Sequence, residues 1–142
     1  MTGLQYLHSV QDLVGEPIRQ SLEANDTSFH GMGREDIDVR CLGRGRPFVI
    51  EVKRPKKRTP DIEALLASIA KGSEGLVEVD ELRLSTRSEV ARIKETKAEK
   101  SYRIRFVIEG DPMDHEDAEQ RILTLSGVML EQRTPKRVAH RR

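Results

Sequence analysis

Residues 29–58, FHGMGREDIDVRCLGRGRPFVIEVKRPKKR, restrict the fold of this chain more than any other stretch. Ile37, Val39 and Cys41 alternate with Asp36, Asp38 and Arg40, and Phe48, Ile50 and Val52 alternate with Val49, Glu51 and Lys53. A period of two sends successive side chains to opposite faces, which is strand geometry rather than helix geometry. The spacing predicts strands over 36–42 and 48–53, joined through Gly43-Arg44-Gly45, a link short enough for a hairpin. Cys41 then reads as a small buried residue. Ahead of the first strand, Gly31, Gly33 and Arg34 lie in a loop, where Gly33 serves a close backbone approach or an unusual φ. If the polar faces of the two strands coincide, Asp36, Asp38, Arg40, Glu51 and Lys53 come together, which register decides.

The other patterns supply helices and further strands. Ser9 and Asp12 form an N-cap signal before Val10, Leu13, Val14, Ile18 and Leu22, which recur at helical spacing. Gly15 and Pro17 interrupt that run, predicting a short turn ending at Gly15 and a second helix with Pro17 in its first turn. Residues 25–28 form a polar connection. Thr59-Pro60-Asp61 opens a helix with the stripe Ile62, Leu65, Leu66 and Ile69, stopped by Gly72. Residues 76–84 suit a strand with Val77 and Val79 on one face, and Thr86 with Glu89 suits a capping box for a short helix carrying Val90 and Ile93. Residues 94–100 are polar and exposed. The clearest strand is 101–109, where Tyr102, Ile104, Phe106 and Ile108 alternate with Arg103, Arg105 and Val107. A helix beginning at 111–114 turns Ala118, Ile122 and Leu125 inward and ends at Gly127, and 128–132 suits a final strand. Strands interleaved with helices argue for an α/β or α+β domain.

Composition narrows the function. The 142 residues suit one domain, but 35% are charged, against about 25% in a typical protein. The core is therefore lean and the surface strongly ionic. One cysteine excludes an internal disulfide and a cysteine-rich zinc site. His30 and His140 are far apart with no cysteine pair, so no metal is assigned. No apolar run approaches the ~20 residues that cross a bilayer, and no basic-then-apolar leader opens the chain, so no membrane partner and a cytoplasmic location are expected. The net charge of +1 conceals segregation: residues 40–58 hold eight Lys/Arg and one acid, and residues 133–142 hold five and none. Elsewhere 12 bases face 23 acids. Two such clusters, one beside a strand pair, favour binding of a nucleic acid over solvated loops.

An aspartate at a strand start can act as nucleophile or base without a metal, and Arg34 can contact a phosphate or keep a carboxylate ionised. Taken alone, Gly33-Arg34-Glu35-Asp36 is more simply a charged turn closing into a strand. The longer pattern changes that balance. FHGMGREDIDVRCLGRGRPFVIEVKRP, the Lys100-Ser101-Tyr102 strand start and the QRTPKRVAHRR end occur in that order, and together they resemble the archaeal and eukaryotic tRNA pseudouridine synthases of the tenth Pus class. The resemblance runs from about Val10 to Arg142. It implies an α+β catalytic-domain segment with a mixed, mainly antiparallel sheet flanked by helices, acting on uridine 54 or 55 of the tRNA T arm. It implies Asp36 as the nucleophile, Tyr102 as the ring that packs on the target base, and Arg34 as a holder of the flipped nucleotide. Arg40, Arg46, Lys53, Arg137, His140, Arg141 and Arg142 are then expected to contact RNA, with no cofactor.

Family members carry a further N-terminal RNA-binding domain, and later strands that complete the sheet and pair a basic residue with the aspartate. The chain is accordingly expected to span part of a catalytic domain, 1–142, with the other strands coming from a complementary polypeptide or by self-association. Two readings of other classes use the same residues. Asp38, Glu51 and Lys53 fit the D…E-x-K layout of Mg²⁺-dependent nucleases. Arg40, Arg46 and the basic tail alone would make a non-catalytic RNA-binding module.

Overall fold

The computed structural model of the chain describes residues 9–34 and 39–133. They form four helices, α1 (Val10–Ser21), α2 (Ile62–Ser73), α3 (Arg87–Glu95) and α4 (Pro112–Leu123), and two antiparallel strands, β1 (Asp26–Gly31) and β2 (Phe48–Lys53). The class is α+β, as expected. The chain divides into two compact units, Met1–Lys100 and Ser101–Arg142.

In the first unit, Asp12 N–H donates to Ser9 Oγ and Ser9 N–H to Asp12 Oδ2, both at 3.1 Å, closing a capping box at the start of α1. The helix then runs through Gly15 and Pro17 without breaking, contrary to the two-piece expectation. Pro17 forfeits one backbone hydrogen bond, a cost of roughly 3 kcal/mol in a helix interior. Val14, Ile18 and Leu22 lie buried on one stripe across that point. Burying each such side chain contributes about 1.5–3 kcal/mol, so the stripe outweighs the break. Gly15 is there for proximity: a Cβ on it would stand 2.7 Å from Thr27 Oγ1 on β1.

β2 alternates as its sequence demands. Phe48, Ile50 and Val52 pack on a cluster of Val14, Ile18, Leu22, Leu65 and Ile69. Its partner differs from the expected one. β1 pairs Gly31 with Phe48, Phe29 with Ile50 and Thr27 with Val52, and the Phe29 and Phe48 rings stack at 5.2 Å. The composition of β1, DTSFHG, hides it, because only Phe29 marks the inward face as apolar. Of the strand expected over 36–42, residues 36–38 lie outside the described residues and 39–42 carry no strand pairing, since β1 occupies the β2 ladder. Cys41 is exposed rather than buried.

α2 is capped by Asp61, whose Oδ1 accepts from Ala64 N–H at 3.1 Å, two residues beyond the expected Thr59. It passes Gly72 and stops where Glu74 (φ 50°) and Gly75 (φ 80°) turn left-handed. The buried Ser73 Oγ donates to Ala70 O at 3.3 Å and Val77 O at 3.1 Å, fixing the exit. Residues 76–84 form no ladder, yet Val77, Val79 and Leu82 pack on the core cluster, so the alternation marks a buried face without a strand partner. At α3 the expected capping box is absent. Thr86 Oγ1 meets Ser88 Oγ at 2.8 Å, while Glu89 accepts from Ser85 Oγ at 2.7 Å and from Arg83 at 3.0 and 3.1 Å. α3 packs on both strands and buries Ile93.

In the second unit, α4 is followed by a turn through Gly127 (φ 73°). Phe106 and Ile108 line a groove with His115, Glu119, Ile122 and Leu123 of α4. Neither 101–109 nor 128–132 forms the expected strand, among the described residues. Val107 is 90% and Met129 94% exposed, and Leu125 is also exposed rather than inward. Alternation specifies the two faces of a strand but not a partner, and backbone groups without one remain with water.

Two outcomes follow. Thr27 is β-branched and stiff, so Gly15→Ala should destabilise by about 1–3 kcal/mol in urea denaturation. In a Thr27→Ala background the same change should become neutral or mildly stabilising, since alanine is favoured over glycine in a helix by about 1 kcal/mol. The Ser85 hydroxyl, and then Arg83, hold the Glu89 carboxyl below its ordinary range. A depressed folded-state value means this support for α3 is present at neutral pH and lost as pH falls through that value. Carbon-detected NMR titration should show Glu89 rising toward the ordinary carboxylate range in Ser85→Ala.

Candidate nucleic-acid interface

Residues 32–47 leave the hairpin from the end of β1 and return at the start of β2, with Met32 N–H donating to Pro47 O at 3.1 Å across the base. Connections of this length between two paired strands are commonly functional. Gly33 at the mouth has φ +82°, and a Cβ there would stand 2.7 Å from Arg46 Nη1 and 3.2 Å from Lys100 Nζ. The positive φ reserves this place for glycine, one of the two uses expected of it, whereas the flexible ends of Arg46 and Lys100 would give way to a larger residue. Arg46 is half-buried with its Nη1 buried, whereas Arg34, Arg40, Arg44 and Lys100 are exposed.

On the opposite face of the hairpin from the core cluster, Glu51 and Lys53 are exposed on β2, and His30 Nε2 lies 3.3 Å from Glu51 Oε2. Lys53 stands at the far end of β2 from Arg46, about 20 Å along the strand, so these two cations serve separate points. The basic run after β2 is held by its main chain. Lys56 and Lys57 N–H both donate to Leu22 O at 3.1 Å, capping α1, and Lys57 Nζ lies 3.7 Å from Glu23. The side chains of Lys53, Arg54, Lys56, Lys57 and Arg58 all project into solvent. A backbone anchored at Lys56 and Lys57 with exposed cationic side chains, of which Lys57 also faces Glu23, suits contact with phosphates.

Tyr102 belongs to the second unit and is 65% exposed, so its ring is not a core residue. Asp36, Asp38, Arg137, His140, Arg141 and Arg142 lie outside the described residues. Among the described residues no group of three or more His, Cys, Asp or Glu side chains converges as metal ligands would, and no helix is long and apolar enough to cross a membrane. Three features escaped the sequence reading: Lys100 beside Gly33, the Phe29–Phe48 stack, and the His30–Glu51 pair. Alternation gives Phe29 and His30 no strand signal, and Lys100 stands in a polar segment at the start of the Lys100-Ser101-Tyr102 motif, so none of the three signals its tertiary neighbour.

The family model described as Pus10, C-terminal, matches residues 2–142. The tRNA pseudouridine synthase Pus10 of Methanothermobacter marburgensis is 45% identical over 143 residues, covering 99% of this chain and 35% of that protein. Proteins of the same name from Methanothrix thermoacetophila and Thermofilum pendens are 45% and 40% identical, covering 99% and 98% of this chain and 31% and 32% of theirs. The chain thus spans about a third of the length of these curated relatives.

If backbone anchoring rather than charge holds the basic run, Lys57→Pro, which removes the donor to Leu22 O, should lower stability by about 1–3 kcal/mol. Lys57→Gln, which removes only an exposed ion pair, should change it by less than about 1 kcal/mol. Urea denaturation of the two variants distinguishes these contributions.

Proposed function

Because this chain belongs to the Pus10 C-terminal family, we propose that it forms part of a tRNA pseudouridine synthase in which Asp36 is the nucleophile and the target is uridine 54 or 55 of the T arm. The observation that carries this reading is the match over residues 2–142 to the Pus10 C-terminal family and to proteins named as such synthases.

The chemistry asks little of a cofactor. The bond from uracil N1 to ribose C1′ breaks, the base turns, and a bond from C5 to C1′ forms; C5 loses its hydrogen to solvent and N1 gains one. Composition and oxidation state are unchanged. An ionised carboxylate beside the base, and a surface that receives the base once it leaves its stack, supply what the reaction needs. Asp36 provides the carboxylate and Arg34 favours its charged form. The exposed ring of Tyr102 is available to stack on a base. Arg40, Arg46, Lys53 and the basic tail with Arg137, His140, Arg141 and Arg142 meet the RNA backbone, by charge and shape rather than by sequence.

The test uses a hybrid in which this chain replaces the matching third of the Methanothermobacter marburgensis relative. It should release tritium from tRNA labelled at uridine C5, in EDTA, because C5 loses its hydrogen only as the new bond forms. Asp36→Asn should lower the rate at least about 10³-fold. Full turnover by that variant, or an inactive hybrid beside an active relative, would sink the proposal. RNA cleavage that needs Mg²⁺ and disappears with Glu51→Gln would support the nuclease reading instead.

A further inference from the structure

Two cations of different shape approach the same side of Gly33 in the first unit. Arg46 Nη1 and Lys100 Nζ stand 2.7 and 3.2 Å from the Cβ position of Gly33, so they lie within about 6 Å of each other, close enough for mutual repulsion to favour an anion between them. Arg46 comes from the return limb of the 32–47 loop and makes a further interaction within the fold, which anchors it. Lys100 is exposed and is therefore the movable arm. Gly33 is the residue that lets both approach, and its φ of +82° reserves the place for glycine.

We propose that Gly33, Arg46 and Lys100 form a phosphate cradle at the mouth of the loop, with Lys100 contacting a phosphate of the RNA backbone next to the nucleotide that Asp36 attacks. This rests on the reading of the chain as part of an RNA-modifying enzyme, and it gives Lys100, quoted above only as part of a strand start, a positioning role. A planar guanidinium held in the fold and a mobile ammonium make a two-sided clamp suited to the tetrahedral phosphate oxygens. The cradle sits at the hairpin base, closed by the Met32 to Pro47 hydrogen bond, so a phosphate held there has a fixed relation to the start of the motif loop.

The experiment measures binding of a T-arm stem-loop RNA to the chain by fluorescence anisotropy between 50 and 200 mM KCl. Lys100→Met should weaken binding several-fold and reduce the slope of log K against log salt by about 0.7–0.9, the loss of one phosphate contact. Lys100→Arg should keep the slope. Lys71→Met, an exposed lysine on α2 outside both basic clusters, should change neither quantity. Gly33→Ala, with a circular dichroism spectrum like the parent's, should also lower the slope, because its methyl group displaces Arg46. An unchanged slope in Lys100→Met, or a loss matched by Lys71→Met, overturns the cradle while leaving the synthase reading intact. A parent chain whose RNA binding is absent or independent of salt also overturns the cradle, and tritium release by the hybrid decides the synthase reading separately.

Discussion

A pair of antiparallel strands has no independent stability in water, and everything in the first unit follows from how this pair is covered. Phe48, Ile50 and Val52 give β2 one apolar face, and α1 and α2 close over it through Val14, Ile18, Leu22, Leu65 and Ile69. Val14 and Ile69 are each only 1% exposed, marking where that closure is tightest. The same contact sets the path of the chain beyond the strands. Asn25 N–H donates to Lys53 O at 3.0 Å, and Lys56 and Lys57 N–H reach Leu22 O at the end of α1. Helix, hairpin and basic run are thus one hydrogen-bonded assembly, from which the connection 32–47 departs and to which it returns.

Where apolar periodicity was strong, local structure was legible: β2 matches its predicted bounds, and the stripes of α1 and α2 face the core. The errors have physical causes. Pro17 reads as a break only while the burial of Val14, Ile18 and Leu22 on either side is ignored. β1 was missed because Thr27 and Gly31 fill two of its inward positions, where period-two reasoning looks for apolar residues. Residues 101–109 carry the strongest alternation in the chain and no ladder, because periodicity encodes a surface and a ladder needs a second backbone.

The candidate site was legible in its parts and not in its assembly. Gly33 announced a special backbone by standing before Arg34, and φ +82° bears that out. The basic clusters were evident as a count of charges. That Arg46 and Lys100 converge on Gly33 depends on how the chain returns to the hairpin base after α3, a tertiary fact with no local trace. Asp36 was singled out by resemblance and by chemistry, since strand alternation treats it as one more outward carboxylate.

The stretch 101–109 also governs how copies of the chain behave together. Tyr102, Ile104, Phe106 and Val107 are all exposed, an arrangement that invites sticking between molecules. Arg103 and Arg105 lie among them and are also exposed. These guanidinium groups act as electrostatic bumpers, turning away another copy that presents the same stretch. Their reach is about 10 Å at 0.1 M salt and about 3 Å at 1 M. Salt that would loosen the basic clusters from a polyanion would thus also screen the repulsion between these two side chains and their counterparts on another copy.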